Sequence, residues 1–127
     1  MMFRYYNPNP FKRNTSDCVT RAFAKFFDLD WDTAFLKLSL MAYAKKDNLE
    51  KNHVWGDLLT LNGYKRHLVP DICPDCYTVK DFCIDHPKGS FLLKLDDLTV
   101  GHVVAVIDGD YYDTWDSGDE VVDYYYD

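Results

Sequence analysis

Cys18 stands directly after Ser16-Asp17, where an apolar helical stripe begins. That stripe is Val19, Ala22, Phe23 and Phe26, recurring at i, i+3, i+4 and i+7. A cysteine in the first turn of a helix meets the positive end of the helix dipole and its free N–H groups, which favour a thiolate. The same N–H groups can hold the oxyanion of a tetrahedral intermediate. A nucleophilic thiolate usually also needs an imidazole. His102 is the candidate, because it opens the strand-like run His102-Val-Val-Ala-Val-Ile107 and follows Gly101, where a missing side chain lets another segment approach closely. The plainer alternatives are a buried structural thiol at Cys18 and a surface imidazole at His102.

A hairpin supplies the third group. Asp108-Gly109 favours a two-residue turn. Ile107 then faces Asp110, Val104 faces Asp113 and His102 faces Trp115. Side chains alternate, so His102, Val104, Tyr111, Asp113 and Trp115 share one face. Asp113 becomes a diagonal neighbour of His102, able to orient the ring and stabilise its charged form. Trp115 can cover the pair from water. Asp116 is the rival acid, but it falls on the opposite face unless a bulge intervenes.

These residues need a frame. Residues 1–16, with Pro8 and Pro10, read as irregular chain, and Ser16 or Asp17 can cap the first helix. Asp30 starts a second helix with Trp31, Ala34, Phe35, Leu38 and Met41 or Ala42 on its apolar face. Asn52 caps a third, carrying Val54, Trp55, Leu58 and Leu59, which Gly63 ends in the left-handed conformation. A strand over Tyr64–Val69 and a short helix capped by Thr78 follow. From Ser90 the runs Ser90–Leu95, Gly101–Ile107, Asp110–Trp115 and Val121–Tyr126 are β-branched and aromatic, separated by Asp and Gly. Helices first and antiparallel strands second indicate an α+β fold.

Three segments together resemble a known superfamily. Ser16-Asp17-Cys18-Val19-Thr20-Arg21-Ala22 resembles the nucleophile helix of papain-like cysteine peptidases, and the Asp-Cys helix start of NlpC-type cell-wall peptidases in particular. Gly101-His102-Val103-Val104-Ala105-Val106 resembles their histidine strand and that of bacteriocin-processing peptidases. Asp113-Thr114-Trp115 resembles papain's Asn-Ser-Trp, whose amide orients the histidine under a tryptophan. The order Cys, His, Asp matches as well, and the pattern is similar to that of small phage and bacterial members. The resemblance implies a papain-like fold in which the nucleophile helix packs on a C-terminal antiparallel sheet. It implies one cysteine hydrolase domain over residues 1–127. It also implies a Cys18-His102-Asp113 triad, a peptide or protein substrate cleaved at an amide or isopeptide bond, and no cofactor. One departure is plain: papain uses a Gln shortly before its cysteine to help hold the oxyanion, and this chain has no Gln. Asn14, four residues before Cys18, is the available amide.

Composition bounds these readings. The 127 residues fit one domain of roughly 100–150 residues. With 47% hydrophobic residues the chain is too apolar for disorder. A formal charge of −7 argues against nucleic acid as partner. No apolar run reaches membrane-span length, so no membrane is expected. Met-Met-Phe-Arg-Tyr-Tyr-Asn-Pro lacks an apolar signal core, which predicts a cytoplasmic location, the host cytoplasm if the chain is phage-encoded. In that compartment disulfides are not the default for Cys18, Cys73, Cys76 and Cys83. Cys73, Cys76, Cys83 and His86 form a C-x2-C-x6-C-x2-H pattern that could bind zinc, against buried thiols as the simpler account. Asp108, Asp110, Asp113, Asp116, Asp119, Glu120, Asp123 and Asp127 crowd the C-terminal end. They read either as a solvated edge or as a docking surface for a basic partner. The second function class is accordingly a catalytically silent papain-fold binding protein, such as a phage inhibitor of a host protein.

Overall fold

The computed structural model describes residues 2–96 and 101–127. Among them the chain runs β1 (Phe3–Tyr5), α1 (Cys18–Phe26), α2 (Trp31–Lys45), α3 (Asn52–Leu61), β2 (Arg66–Leu68), α4 (Val79–Asp85), β3 (Ser90–Asp96), β4 (His102–Ile107), β5 (Asp110–Asp113) and β6 (Val121–Tyr126). The strands form one sheet in the order β1-β5-β4-β3-β6-β2. The fold is α+β, as the order of patterns predicts. No helix among the described residues is long and apolar enough to cross a membrane.

Alternation along the central strands gives the sheet two apolar faces. On one face Leu92, Val103, Ala105, Tyr124 and Tyr126 pack under α1, α2 and α3, meeting Val19, Phe23, Leu38, Trp55 and Leu59. On the other face Leu93, Leu95, Val104, Val106 and Tyr111 pack under Val79, Phe82 and Cys83 of α4. Val122 lies on the α4 side and Tyr124 on the α1 side, although both are even-numbered. The register explains this: Lys94 pairs with Tyr124 but Leu95 with Val122, so β6 carries one extra residue there. A single-residue bulge flips every side chain beyond it.

The helix caps follow the sequence with two exceptions. The Asp30 side chain accepts the Thr33 N–H at 2.7 Å, and Thr78 forms a capping box with Asp81. Gly63, at φ +86°, follows α3 as predicted. Lys51, not Asn52, takes the cap position of α3. Asp17 occupies the cap position of α1, yet its carboxylate caps nothing. Along α2 only Ala34 and Leu38 are buried. The helix is apolar on more than one side, and Leu36, Leu40 and Tyr43 stay exposed.

One expectation is corrected at the sheet edge. Phe3–Tyr5, read as irregular, is a strand parallel to β5, so the sheet is mixed rather than antiparallel. Three residues carry no periodicity to read; what holds them is the backbone of β5. The Tyr111 N–H donates to Met2 at 2.7 Å and the Tyr6 N–H to the Asp113 carbonyl at 2.8 Å. The C-terminal acids are largely engaged within the chain. Arg4 donates to Asp110, Lys80 to Asp119, Lys94 to Asp123, and His67 to Asp127. Asp108 accepts from the Gly89 N–H. These pairs lie at the surface, and the Asp119 side chain stays 91% exposed.

The hairpin forms in the predicted register, with Ile107 opposite Asp110 and Ala105 opposite Tyr112. Asp108 at φ +49° and Gly109 at φ +80° are both left-handed, as a type I′ turn requires. Gly109→Ala is expected to lower the unfolding free energy by more than about 1 kcal/mol. Gly109→Asn should lower it less, since Asn tolerates this conformation. Urea midpoints at constant slope measure both, and equal losses would show that the turn conformation is not what matters.

Candidate active site

Cys18 is the first residue of α1 and is half-buried. No side chain caps this helix, so its first-turn N–H groups are left uncapped beside the sulfur. The Asp17 carboxylate turns away instead. It accepts from Arg21 Nη1 at 2.5 Å and from the Trp31 indole N–H at 2.9 Å.

His102 is the first residue of β4 and bonds the expected carboxylate. Its Nε2–H donates to Asp113 Oδ2 at 2.6 Å. Cys18 lies near enough to the ring to contribute to its electrostatics. The Trp115 ring lies against it, centroids 5.3 Å apart. Burial alone would pull the His102 pKa down. The bond to Asp113 and its negative charge, with the influence of the nearby Cys18, outweigh it and raise the value to about 9.

Asp113 is 1% exposed. Besides His102 it accepts from Ser117 Oγ at 2.7 Å, from the Thr114 N–H at 2.8 Å and from Arg21 Nη2 at 3.1 Å. Burial opposes its charge, but the bond and charge of His102, with the Ser117 and Thr114 donors, hold its pKa below the ordinary carboxylate value. Asp116, the rival acid, accepts from the Tyr111 hydroxyl and from the Gly118 N–H and does not bond His102. Asn14 is exposed and does not line the cleft at Cys18.

That cleft has a volume of about 710 Å³. Ser16, Cys18, Trp55, Lys94, Gly101 and Val103 are among its walls. Gly101 contributes backbone only, as its position before His102 suggested. The Trp55 indole N–H is buried and has no hydrogen-bond partner among the described residues.

The residue that sequence reasoning missed is Arg21. It is 5% exposed, in the middle of an otherwise apolar helix, and bridges Asp17 and Asp113. The signal was available: an arginine four residues after an aspartate, inside a core stripe, needs a buried anion.

The zinc pattern does not assemble. Cys73 and Cys76 are joined as a disulfide, contrary to the expectation of free thiols. The two-residue spacing brings their Cα atoms to 4.2 Å. Cys83 is turned into the core under α4. His86 Nδ1 donates to the Phe82 carbonyl at 2.9 Å, and its ring stacks on Phe82. Among the described residues no group of three or more His, Cys, Asp or Glu is placed to hold a metal.

Comparison with known proteins finds no family model, no curated protein and no solved structure that matches this chain.

The His102 contacts have a measurable sign. The folded pKa is raised above the ordinary 6.5 to about 9. The stability they add is therefore fully present below pH 6.5 and lost as pH rises through about 9. In urea unfolding, the stability gap between the native chain and His102→Gln should be wide near about pH 6 and narrow near about pH 9.5. A gap that widens with pH would mean a neutral imidazole in the fold.

Proposed function

We propose that the chain is a papain-like thiol hydrolase that cleaves an amide or isopeptide bond of a peptide or protein substrate. The observation that supports this most directly is an imidazole hydrogen-bonded to a buried carboxylate, with a helix-start cysteine close enough to act on its charge. Cys18 and His102 form a thiolate–imidazolium pair, which Asp113 stabilises from the far side of the ring. The sulfur attacks the carbonyl carbon, and the first-turn N–H groups of α1 receive the negative charge that develops on oxygen. His102 then gives its proton to the leaving amine. Water, deprotonated by the same ring, releases the acyl group and restores the thiol. The cleft beside Cys18 gives the substrate its place, and the bare backbone at Gly101 lets an extended chain come close.

The alternative, a silent binding protein of this fold, keeps one supporting observation: the exposed apolar residues Leu36, Leu40 and Tyr43 on α2.

Iodoacetamide separates the two readings. Burial, with the charge of Asp110, pushes the Cys83 thiol up to about 12, so it competes poorly. Cys73 and Cys76 are protected by their disulfide. Cys18 should therefore be alkylated first between about pH 5 and 7. His102→Ala should slow it sharply, and Asp113→Ala should slow it more than Asp113→Asn, which keeps a polar partner for the ring. Preferential labelling of Cys83, or a Cys18 rate indifferent to His102, would move the binding-protein reading ahead.

A further inference from the structure

We propose that Arg21 is a positioning residue for this site, acting through Asp113: its guanidinium holds one carboxylate oxygen so that the other is presented to His102. The assignment deepens the hydrolase reading and rests on it.

The geometry divides the labour atom by atom. Arg21 Nη2 takes Asp113 Oδ1 at 3.1 Å, and His102 Nε2 takes Oδ2 at 2.6 Å. Arg21 Nη1 takes Asp17 Oδ1, and the Trp31 indole N–H takes Asp17 Oδ2. The guanidinium is itself anchored on Asp17 and gives its other nitrogen to Asp113 Oδ1, which also takes the Thr114 N–H, so the carboxylate cannot swing freely about its terminal torsion. Its second oxygen stays aimed at the imidazole.

Arg21 is also placed on the right element. It lies three residues after Cys18 and four after Asp17 on the same rigid helix, and i, i+3 residues are neighbours on a helix surface. One helix therefore carries both the sulfur and the brace for the acid. The spacing between sulfur, ring and carboxylate is set by α1 rather than by a loop. Stability alone does not call for such a residue. A well-packed apolar side chain of similar volume is often as stable as a buried ion network, or more so.

The charged and titratable groups around the ring are Cys18 and Asp113, with Arg21 and Asp17 behind Asp113. Two readouts use them. NMR titration of the His102 ring reports its partner directly, whether or not the chain hydrolyses anything. The pH profile of Cys18 alkylation reports the working pair.

In Arg21→Met the His102 titration should fall from about 9 towards 6.5 as Asp113 loses its hold. Alkylation of Cys18 near about pH 6 should slow roughly 10- to 100-fold, the scale of a small misplacement in a site. Arg21→Lys keeps the charge without the fork and should fall between; it carries the test if the Met variant does not fold. Wild-type titration and labelling in a folded Lys or Met variant would overturn the proposal. So would an upward titration shift with unchanged labelling, which marks Arg21 as a mere electrostatic neighbour. A His102 shift in a chain whose Cys18 is unreactive would keep Arg21 as the brace and remove the hydrolase reading alone.

Discussion

A carboxylate sealed from water must be surrounded by donors or lose its charge, and Asp113 imposes that condition on the rest of the structure. Its donors come from three other places in the chain: His102 from β4, Arg21 from α1, and Ser117 from the turn beyond β5, with the Thr114 N–H next to it. No one element can supply such a set. The helix layer, the central hairpin and the turn before β6 must all be in place before the charge is tolerable. Breaking one partner of such a network typically costs 3–5 kcal/mol, because an uncompensated buried charge is left behind. The interaction that orients His102 is thus also a check on whether the two layers have docked correctly.

The sheet edge serves the same carboxylate. Asp113 ends β5, where a strand would normally fray. β1 lies along its outer side, with Tyr5 in register with Asp113 and the Tyr6 N–H on its carbonyl. On the inner side the left-handed turn at Asp108-Gly109 fixes which β5 residue stands opposite each β4 residue. A slip of one residue would reverse both faces and send Asp113 away from His102. The bulge opposite Lys94 and Leu95 lies one strand further on, so it alters the facing of β6 without disturbing the β4–β5 pair.

These facts explain what could and could not be read from the sequence. The hairpin was legible because Asp-Gly demands one turn type and alternation then fixes the register. The His102–Asp113 contact followed from that register, while Cys18 was singled out by its helix-start position. The apolar stripe of α1 was legible, but Arg21 inside it was passed over, because a periodic pattern records where side chains point and not what a charge must meet. β1 was illegible for a related reason. Three residues held by a neighbouring backbone leave no pattern of their own. The Asp17 cap failed because a local rule, a carboxylate bonding its own helix, lost to a stronger partner, the guanidinium four residues on. The Cys73–Cys76 disulfide was missed because a prior about the compartment stood in for the geometry of a two-residue spacing.

Pairs of like residues within the chain show that environment assigns the chemistry. Cys18 and Cys83 are both free thiols near helices. Cys83 lies inside α4 among Phe82, Phe91 and Tyr111, where burial and Asp110 favour the neutral thiol. Cys18 sits at an uncapped helix start in the neighbourhood of the His102 ring. Asp113 and Asp116 form a second pair, three residues apart. Asp116 takes a tyrosine hydroxyl and a glycine N–H and so fixes the turn. Asp113 takes an imidazole and a guanidinium and so fixes the site. The cysteines differ in the helix that carries them, and the aspartates in three positions of chain. The register of the hairpin decides which aspartate meets His102, and burial decides which thiol is held neutral.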